Sequence, residues 1–309
     1  MAKKIELKDS KVIFKEDEHE YWLGDKQLSG ITGMLQRQLF PDEFDGIPEE
    51  VLATAAQYGT GVHASIEDFD KNYINDGTQE VQDYIEICEE NNLTHEASEY
   101  TVTDGKDWAS NIDKVYRISE DTFSLGDIKT YGQMTSDKLE KARWQLSIYA
   151  YFFELLNKKA KVDKLFILHL RNKFKTDGTT DNIKEIIFLK RIPSEICKEL
   201  LDCDLRGEQF QNPFGIPEEY KNLEGEIRKL MQTKAEAEEK LASIKAKIMY
   251  EMEALDAKTW ATDTMRITRK LPTTRTSFDL KKYKADNPDL QLDDYMKTSN
   301  VAGSLTISL

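Results

Sequence analysis

Hydrophobic and polar residues follow a period of two in some segments of the chain and a helical period in others, which predicts mixed α and β structure. The alternating segments predict strands within 11–29 and at 98–104, 108–118, 122–131, 163–171 and 182–192. The helical spacing predicts helices at about 49–73, 79–91, 139–157 and 194–203, and a short one capped by Ser29 or Thr32. Because short segments join the three strands between 98 and 131, we expect them to form an antiparallel meander.

Residues 218–257 follow a heptad pattern with alternating steps of four and three. The stripe runs through Leu223, Ile227, Leu230, Lys234, Ala237, Leu241, Ile244, Ile248, Glu251 and Leu255. Lys234 and Glu251 interrupt its apolar character. The pattern predicts a helical arm or hairpin, which serves either as a structural element, as a clamp for duplex DNA, as a docking site for a partner or as a dimer contact.

The composition excludes several classes of protein. The 309 residues are 39% hydrophobic and 32% charged, enough apolar material for a core, and no apolar run has the roughly 18 residues of a membrane span. The N-terminal segment lacks the apolar stretch of a secretory signal. The three cysteines are scattered, so we expect no disulfide framework and a cytoplasmic location. The net charge of -14 argues against a protein that coats nucleic acid.

One basic segment departs from this acidic average. Residues 258–284 contain eight basic and two acidic side chains. The candidates for contact with nucleic acid are Arg266, Arg269, Lys270, Arg275, Lys281 and Lys282. The segment either follows phosphates, with Trp260 available for stacking on a base, or is a solvated strand and loop that balances an acidic protein.

The sequence GDIKT places an acid and a base on one face of a strand, since Asp127 and Lys129 are two residues apart. Asp113 lies on the preceding strand and can face Asp127 across a tight hairpin. Two adjacent carboxylates raise each other's pKa unless a cation lies between them, and carboxylate oxygens suit Mg²⁺ or Mn²⁺. Taken alone, the Asp127 and Lys129 pair also fits a plain salt bridge.

Two helical pairs accompany these strands. His63 and Glu67 are four residues apart, as are Gln145 and Tyr149, so each pair shares a helix face. Each also has a structural interpretation. Glu67 can pair with Lys71 on the helix surface, and the second pair can form the polar edge of a buried helix.

The order of these motifs is more specific than any one of them. The succession GTGVHASIE, a strand with Asp113, GDIKT and QLSIY resembles the RecB-type branch of the PD-(D/E)XK nucleases. It is most similar to phage exonucleases of the lambda-exonuclease/YqaJ kind. The resemblance covers about residues 11–170, including HEYWLGDKQLSGITGML at 19–35. The family often has a glycine three residues before its first strand aspartate, where this chain has Ser110.

The resemblance implies a role for each residue of the motifs. His63, Asp113, Asp127 and the backbone carbonyl of Ile128 would bind a divalent metal, and Glu67 would support a ligand or bind a second ion. Lys129 would position the attacking water or neutralise charge at the phosphate. Gln145 would orient Lys129 or the substrate strand, with Tyr149 packed or bonded beside it.

The resemblance also implies a fold and an activity. We expect an α/β PD-(D/E)XK core at 1–215, with a mixed sheet flanked by helices, then a coiled-coil arm at 216–258 and a basic segment at 259–309. The protein would be an Mg²⁺- or Mn²⁺-dependent exonuclease without an iron–sulfur cluster. It would resect double-stranded DNA ends for phage-type recombination in the host cytoplasm, beside a single-strand annealing protein, and it could form a homo-oligomer.

Two alternatives stay open from the sequence. A nuclease fold can serve as a scaffold that binds DNA ends or a partner without cleaving. An endonuclease of the restriction or CRISPR-adaptation type would use the same metal-binding residues.

Overall fold

The computed structural model describes residues 4–16, 18–174, 180–215, 220 and 223–270. The chain divides into two compact units, Met1–Pro213 and Phe214–Leu309. The expected division at 215 and 258 into core, arm and basic segment stays a prediction.

The first unit contains the elements that carry the candidate site. Its strands are β1 (Ile13–Lys15), β2 (Glu20–Leu23), β3 (Lys26–Gly30), β4 (Thr94–Thr103), β5 (Trp108–Arg117), β6 (Thr122–Lys129), β7 (Lys161–Phe174) and β8 (Thr180–Leu189). Its helices are α1 (Ile31–Leu39), α2 (Glu49–Asn72), α3 (Gln79–Glu90), α4 (Ser136–Leu156) and α5 (Ser194–Arg206).

The eight strands form one sheet of mixed direction. Its order is β1-β2-β3-β5-β6-β7-β8, with β4 paired to β5. The pairs β3–β5 and β6–β7 are parallel, and the other pairs are antiparallel. The predicted antiparallel meander is confirmed as β4-β5-β6. The coarse prediction of a mixed α/β fold, with a central sheet flanked by helices, is also confirmed.

Two apolar cores lie against the sheet, because successive side chains of a strand point to opposite faces. Val115 belongs to the core formed with α1, α4 and α5, whereas Tyr116 belongs to the core formed with α2 and α3. The same alternation separates Leu165 from Phe166 on β7. The strands that carry Asp113 and Asp127 are therefore packed on both faces, which fixes their backbones.

The sequence predicts a side-chain cap by Ser29 or Thr32 at the start of α1 and by Ser194 at the start of α5, and both predictions were wrong. Gly30 caps α1 and Pro193 caps α5, neither with a side-chain hydrogen bond. Strand β3 continues to Gly30, so Ser29 is paired with Trp108 in the sheet and α1 begins at once. The Ser194 hydroxyl instead accepts a hydrogen bond from Arg191.

The second unit contains a long helix and a small hairpin in its described part. Helix α6 (Glu224–Ala254) has 31 residues, and β9 (Thr259–Ala261) pairs antiparallel with β10 (Arg266–Thr268). The heptad segment is thus one continuous helix over these residues, and TMRITRKL supplies the expected basic strand.

A buried ion pair joins α2 to the strand that carries Asp113. The side chain of Lys114 is only 2% exposed, and its ammonium lies 2.6 Å from Asp70 Oδ2 and 2.8 Å from the Ser98 hydroxyl. The hydroxyls of Tyr84 and Ser98 donate further hydrogen bonds to Asp70. Because every member has a partner, the network tolerates a charge in the interior.

Replacement of Asp70 by Ala should destabilise the protein strongly, since it leaves the Lys114 ammonium buried without a counter-charge. We expect the free energy of unfolding to fall by about 3–5 kcal/mol. Urea unfolding followed by circular dichroism measures this loss. Asp68→Ala, an exposed position on the same helix, is the matched control, and equal effects of the two substitutions would contradict the buried-pair account.

Candidate functional site

Asp113 and Asp127 occupy matching positions on the adjacent strands β5 and β6. The last paired residues of these strands are Lys114 and Gly126, and one further step in the same register reaches the two aspartates. The Ile128 N–H donates to Asp113 Oδ2 at 2.9 Å. The hairpin therefore places the two aspartates across from each other on neighbouring strands, as the sequence predicted. The cluster of candidate ligand atoms around Asp113 nevertheless does not include Asp127.

Gly126 lets β6 pass close to two aromatic rings. A Cβ at this position would lie 2.8 Å from Cε2 of Phe166 and 3.1 Å from Cε2 of Tyr116. Both rings are fully buried, so neither can move aside easily. The glycine of GDIKT thus allows the backbone next to Asp127 to lie deep in the packed sheet.

Asp127 and Lys129 form a largely buried ion pair. Lys129 Nζ lies 2.6 Å from Asp127 Oδ2, with side chains 19% and 1% exposed. Burial raises the pKa of Asp127 to about 6; the Lys129 charge opposes that rise and the Asp113 charge adds to it. Burial lowers the pKa of Lys129, but the charges of Asp127 and Asp113 outweigh it and raise this pKa above its usual value. Lys129 is therefore a fixed positive charge at the site.

His63 approaches the same point from α2. Its Nε2–H donates to the Ile128 carbonyl oxygen at 3.1 Å, and its Nδ1 lies 3.6 Å from Asp113 Oδ2. His63 therefore contacts two other predicted ligand groups, the Asp113 carboxylate and the Ile128 carbonyl. They come from a helix and two strands, so only the folded chain assembles them.

Glu99 joins this cluster and was missed from the sequence. One ligand atom from each of His63, Glu99 and Asp113 lies within 4.8 Å of the others. Glu99 lies on β4 between residues paired with Lys114 and Ile112, and so opposite Asp113. Its φ of 49° is left-handed, a strained conformation that is uncommon for a non-glycine residue and that clusters at functional sites.

The electrostatics of Glu99 reflect this position. Burial raises the pKa of its carboxyl to about 7, and the charges of Asp113 and Glu67 add to the rise. A cation placed among these carboxylates would remove the part of this rise that comes from their repulsion.

Gln145 and Tyr149 lie beside the aspartates on α4. Gln145 Nε2 donates to the Tyr149 hydroxyl at 2.7 Å, and the Ser110 hydroxyl donates to the same oxygen at 3.0 Å. Gln145 and Ser110 therefore both hydrogen-bond to Tyr149. We had expected Gln145 to orient Lys129 or the substrate strand instead. Ser110 thus has a definite hydrogen-bonding role in this chain.

The remaining candidates have other surroundings. Glu67 forms an ion pair with Lys71, the alternative that the sequence left open. In the second unit, Arg266 lies on β10 and Arg269 Nη2 lies 2.9 Å from Asp256 Oδ1. Lys270 ends the described part of the segment. The candidates Arg275, Lys281 and Lys282 lie outside the described residues.

A second group of side chains lies one turn away along α4. Lys141, four residues before Gln145, forms an ion pair with Glu43 and lies 5.6 Å from the centre of the Phe44 ring. Lys138 lies 4.3 Å from the centre of the Tyr131 ring. Burial raises the pKa of Tyr131, the Lys129 charge lowers it, and the charges of Asp127 and Glu43 raise it. Tyr131 therefore interacts electrostatically both with this group, through Glu43, and with Lys129.

Comparison with protein-family models and with curated proteins finds no match to this chain. Among the residues that the structure describes, none of the helices combines the length and apolar character needed to cross a membrane. The interpretation of the site therefore depends on its own geometry.

The donor set fits a divalent cation that prefers oxygen. Both carboxylate oxygens of Asp127 are buried and receive no hydrogen bond of good geometry from the described residues; the contact with Lys129 is an ion pair. Carboxylates, a backbone carbonyl and one imidazole are ligands that Mg²⁺ and Mn²⁺ accept.

Replacement of Glu99 by Gln should stabilise the metal-free protein at pH 8. The folded-state pKa of about 7 exceeds the ordinary value of 4.5, so ionisation of Glu99 costs stability as the pH rises through this window. We expect a gain of about 1–3 kcal/mol at pH 8 and almost none at pH 4. Chemical unfolding at both values measures it. Glu89→Gln on the exposed face of α3 is the control, and an equal gain at both pH values would contradict the assignment.

Proposed function

We propose that this protein is a divalent-metal-dependent nuclease with a PD-(D/E)XK core, and that it degrades double-stranded DNA from its ends. The observation that carries the proposal is the placement of Asp113 and Asp127 at matching positions of two adjacent strands, with Lys129 paired to Asp127. His63 and the Ile128 carbonyl complete this arrangement. A structural salt bridge would not need a second carboxylate beside it.

Asp113, Asp127, His63 and the Ile128 carbonyl would hold the metal, with Glu99 as a further ligand or as support for a second ion. A bound Mg²⁺ or Mn²⁺ would neutralise charge on the phosphoryl oxygens and make water more acidic. Asp127 supports this assignment because its carboxylate is buried beside one ammonium group and another carboxylate.

Lys129 would supply a positive charge to the active site in addition to that of the metal. Its ammonium is held by Asp127 and remains protonated, because two carboxylates raise its pKa. A fixed ammonium group can donate a hydrogen bond to the attacking water or to a phosphate oxygen, and thereby stabilise the negative charge of the transition state. In this state it serves as a hydrogen-bond donor and not as the general base.

Lys138 and Lys141 would receive the phosphates next to the one that is cleaved. Both lie on the helix of Gln145 and Tyr149, and Tyr131 offers an aromatic ring 4.3 Å from the Lys138 ammonium. Glu43 now neutralises Lys141, so an incoming phosphate would replace its carboxylate. A strand with one phosphate per nucleotide suits such a row of ammonium groups.

Asp127→Asn and Lys129→Ala should each abolish most of the nuclease activity, because each removes a charge that the transition state needs. We expect a loss of roughly a hundredfold or more in kcat. The assay measures release of nucleotides from end-labelled linear duplex DNA with Mg²⁺, and with EDTA as a blank. Asp163→Asn, on the exposed part of β7, is the matched control.

The same assay distinguishes the alternatives. An exonuclease leaves covalently closed circular DNA intact, whereas an endonuclease cuts it. Tight binding to DNA ends without cleavage, in Mg²⁺ and in Mn²⁺, would contradict the nuclease and support a binding scaffold. Full activity of Asp127→Asn would contradict the assigned site.

Lys141→Ala should raise KM for DNA roughly fivefold with little change in kcat, since loss of one phosphate contact costs about 1 kcal/mol. Glu43→Gln should lower KM because it removes the competing carboxylate. Steady-state kinetics at fixed ionic strength measures both, with Lys158→Ala just after α4 as the control. A fall in kcat alone would contradict a substrate-binding role.

A further inference from the structure

The apolar stripe of helix α6, with Leu255 just after the helix end, is largely exposed. Leu230, Leu241, Ile244 and Leu255 are 62%, 50%, 54% and 68% exposed, whereas Ile227 and Ile248 are half-buried. In an isolated helix such a stripe gains nothing from burial, and long helices in proteins owe their stability to packing of an apolar face. The stripe therefore needs a partner, and the heptad spacing identifies the partner as another helix.

The two polar interruptions of the stripe reveal which helix fits. Lys234 lies seven residues before Leu241, and Glu251 lies seven residues after Ile244. In heptad terms Lys234 is at an a position and Glu251 is at a d position. Layers of an antiparallel coiled coil join an a residue of one helix to a d residue of the other, so a two-fold axis beside Leu241 and Ile244 brings opposite charges together.

We propose that α6 pairs with α6 of a second copy of this chain as an antiparallel coiled coil. In this register Leu241 packs against Ile244 of the second copy, and Ala237 packs against Ile248. Lys234 then pairs with Glu251, and Leu230 packs against Leu255. The two-fold axis repeats each layer, which gives two ion pairs within an apolar seam.

The flanking positions are compatible with this register. The e positions place Glu238, which lies 3.8 Å from Lys234 on its own helix, beside Lys245 of the second copy, an attractive pair. The g positions place Lys240 beside Lys247, and Lys240 has Glu236 four residues before it on its own helix.

A parallel pair of the same helices would be poorer. It would place Lys234 against Lys234 and Glu251 against Glu251, so both polar layers would repel. A single polar layer is a known means of setting register and orientation in coiled coils, at a cost in stability. Here two complementary layers select the antiparallel homodimer.

Charge reversal tests the register in the full-length protein. Lys234→Glu and Glu251→Lys should each raise the dimer dissociation constant at least tenfold, because each puts like charges in two layers. The double variant Lys234→Glu/Glu251→Lys should restore the wild-type value. Sedimentation equilibrium measures all four proteins, and Lys229→Glu on the outer face of α6 is the control. Circular dichroism verifies that each variant is folded.

Three outcomes would overturn the proposal. One is a wild-type protein that stays monomeric at 100 µM. The second is a dimer that the single reversals leave unchanged, which places the contact elsewhere or in a parallel register. The third is failure of the double variant to recover. Protection of the stripe from hydrogen exchange in a monomer would show that another part of the same chain covers it. None of these outcomes depends on nuclease activity.

Discussion

Repulsion between carboxylates is the constraint that the candidate site has to meet. Asp113 and Asp127 lie across from each other on the adjacent strands β5 and β6. Glu99 lies opposite Asp113 on β4, the other neighbour of β5. Burial is the main cause of the raised pKa values of about 6 for Asp127 and about 7 for Glu99, and the charge of Asp113 adds to both. The surrounding residues limit this cost, and a divalent cation would remove most of it.

Helix α2 holds the strand of Asp113 at two adjacent residues. His63 contacts Asp113, and Asp70, two helical turns later on the same face, contacts Lys114. The contact of His63 is part of the candidate site, whereas the ion pair of Asp70 with Lys114 is buried in the interior next to it. A displacement of α2 would therefore disturb both the candidate ligand and the buried ion pair, so the interior network fixes the geometry of the site.

The sequence predicted the parts of the structure that depend on local patterns. Period-two alternation identified the meander, and the two-residue spacing of GDIKT placed Asp127 and Lys129 on one face. Glu99 could not be assigned this way, because its place depends on the register between β4 and β5. A bulge between His95 and Ala97 and the left-handed backbone of Glu99 alter that strand, and neither has a local sequence signal. The Asp70 and Lys114 pair was likewise invisible, since 44 residues separate its members.

The central claim is that the residues around Asp113 and Asp127 bind a divalent cation. Anomalous diffraction from crystals of the protein soaked in Mn²⁺ tests this claim most directly. The account predicts a peak in contact with Asp113, Asp127 and the Ile128 carbonyl, and loss of that peak in Asp113→Asn crystals. A clear map without a peak at this position, or a peak that Asp113→Asn leaves unchanged, would contradict it.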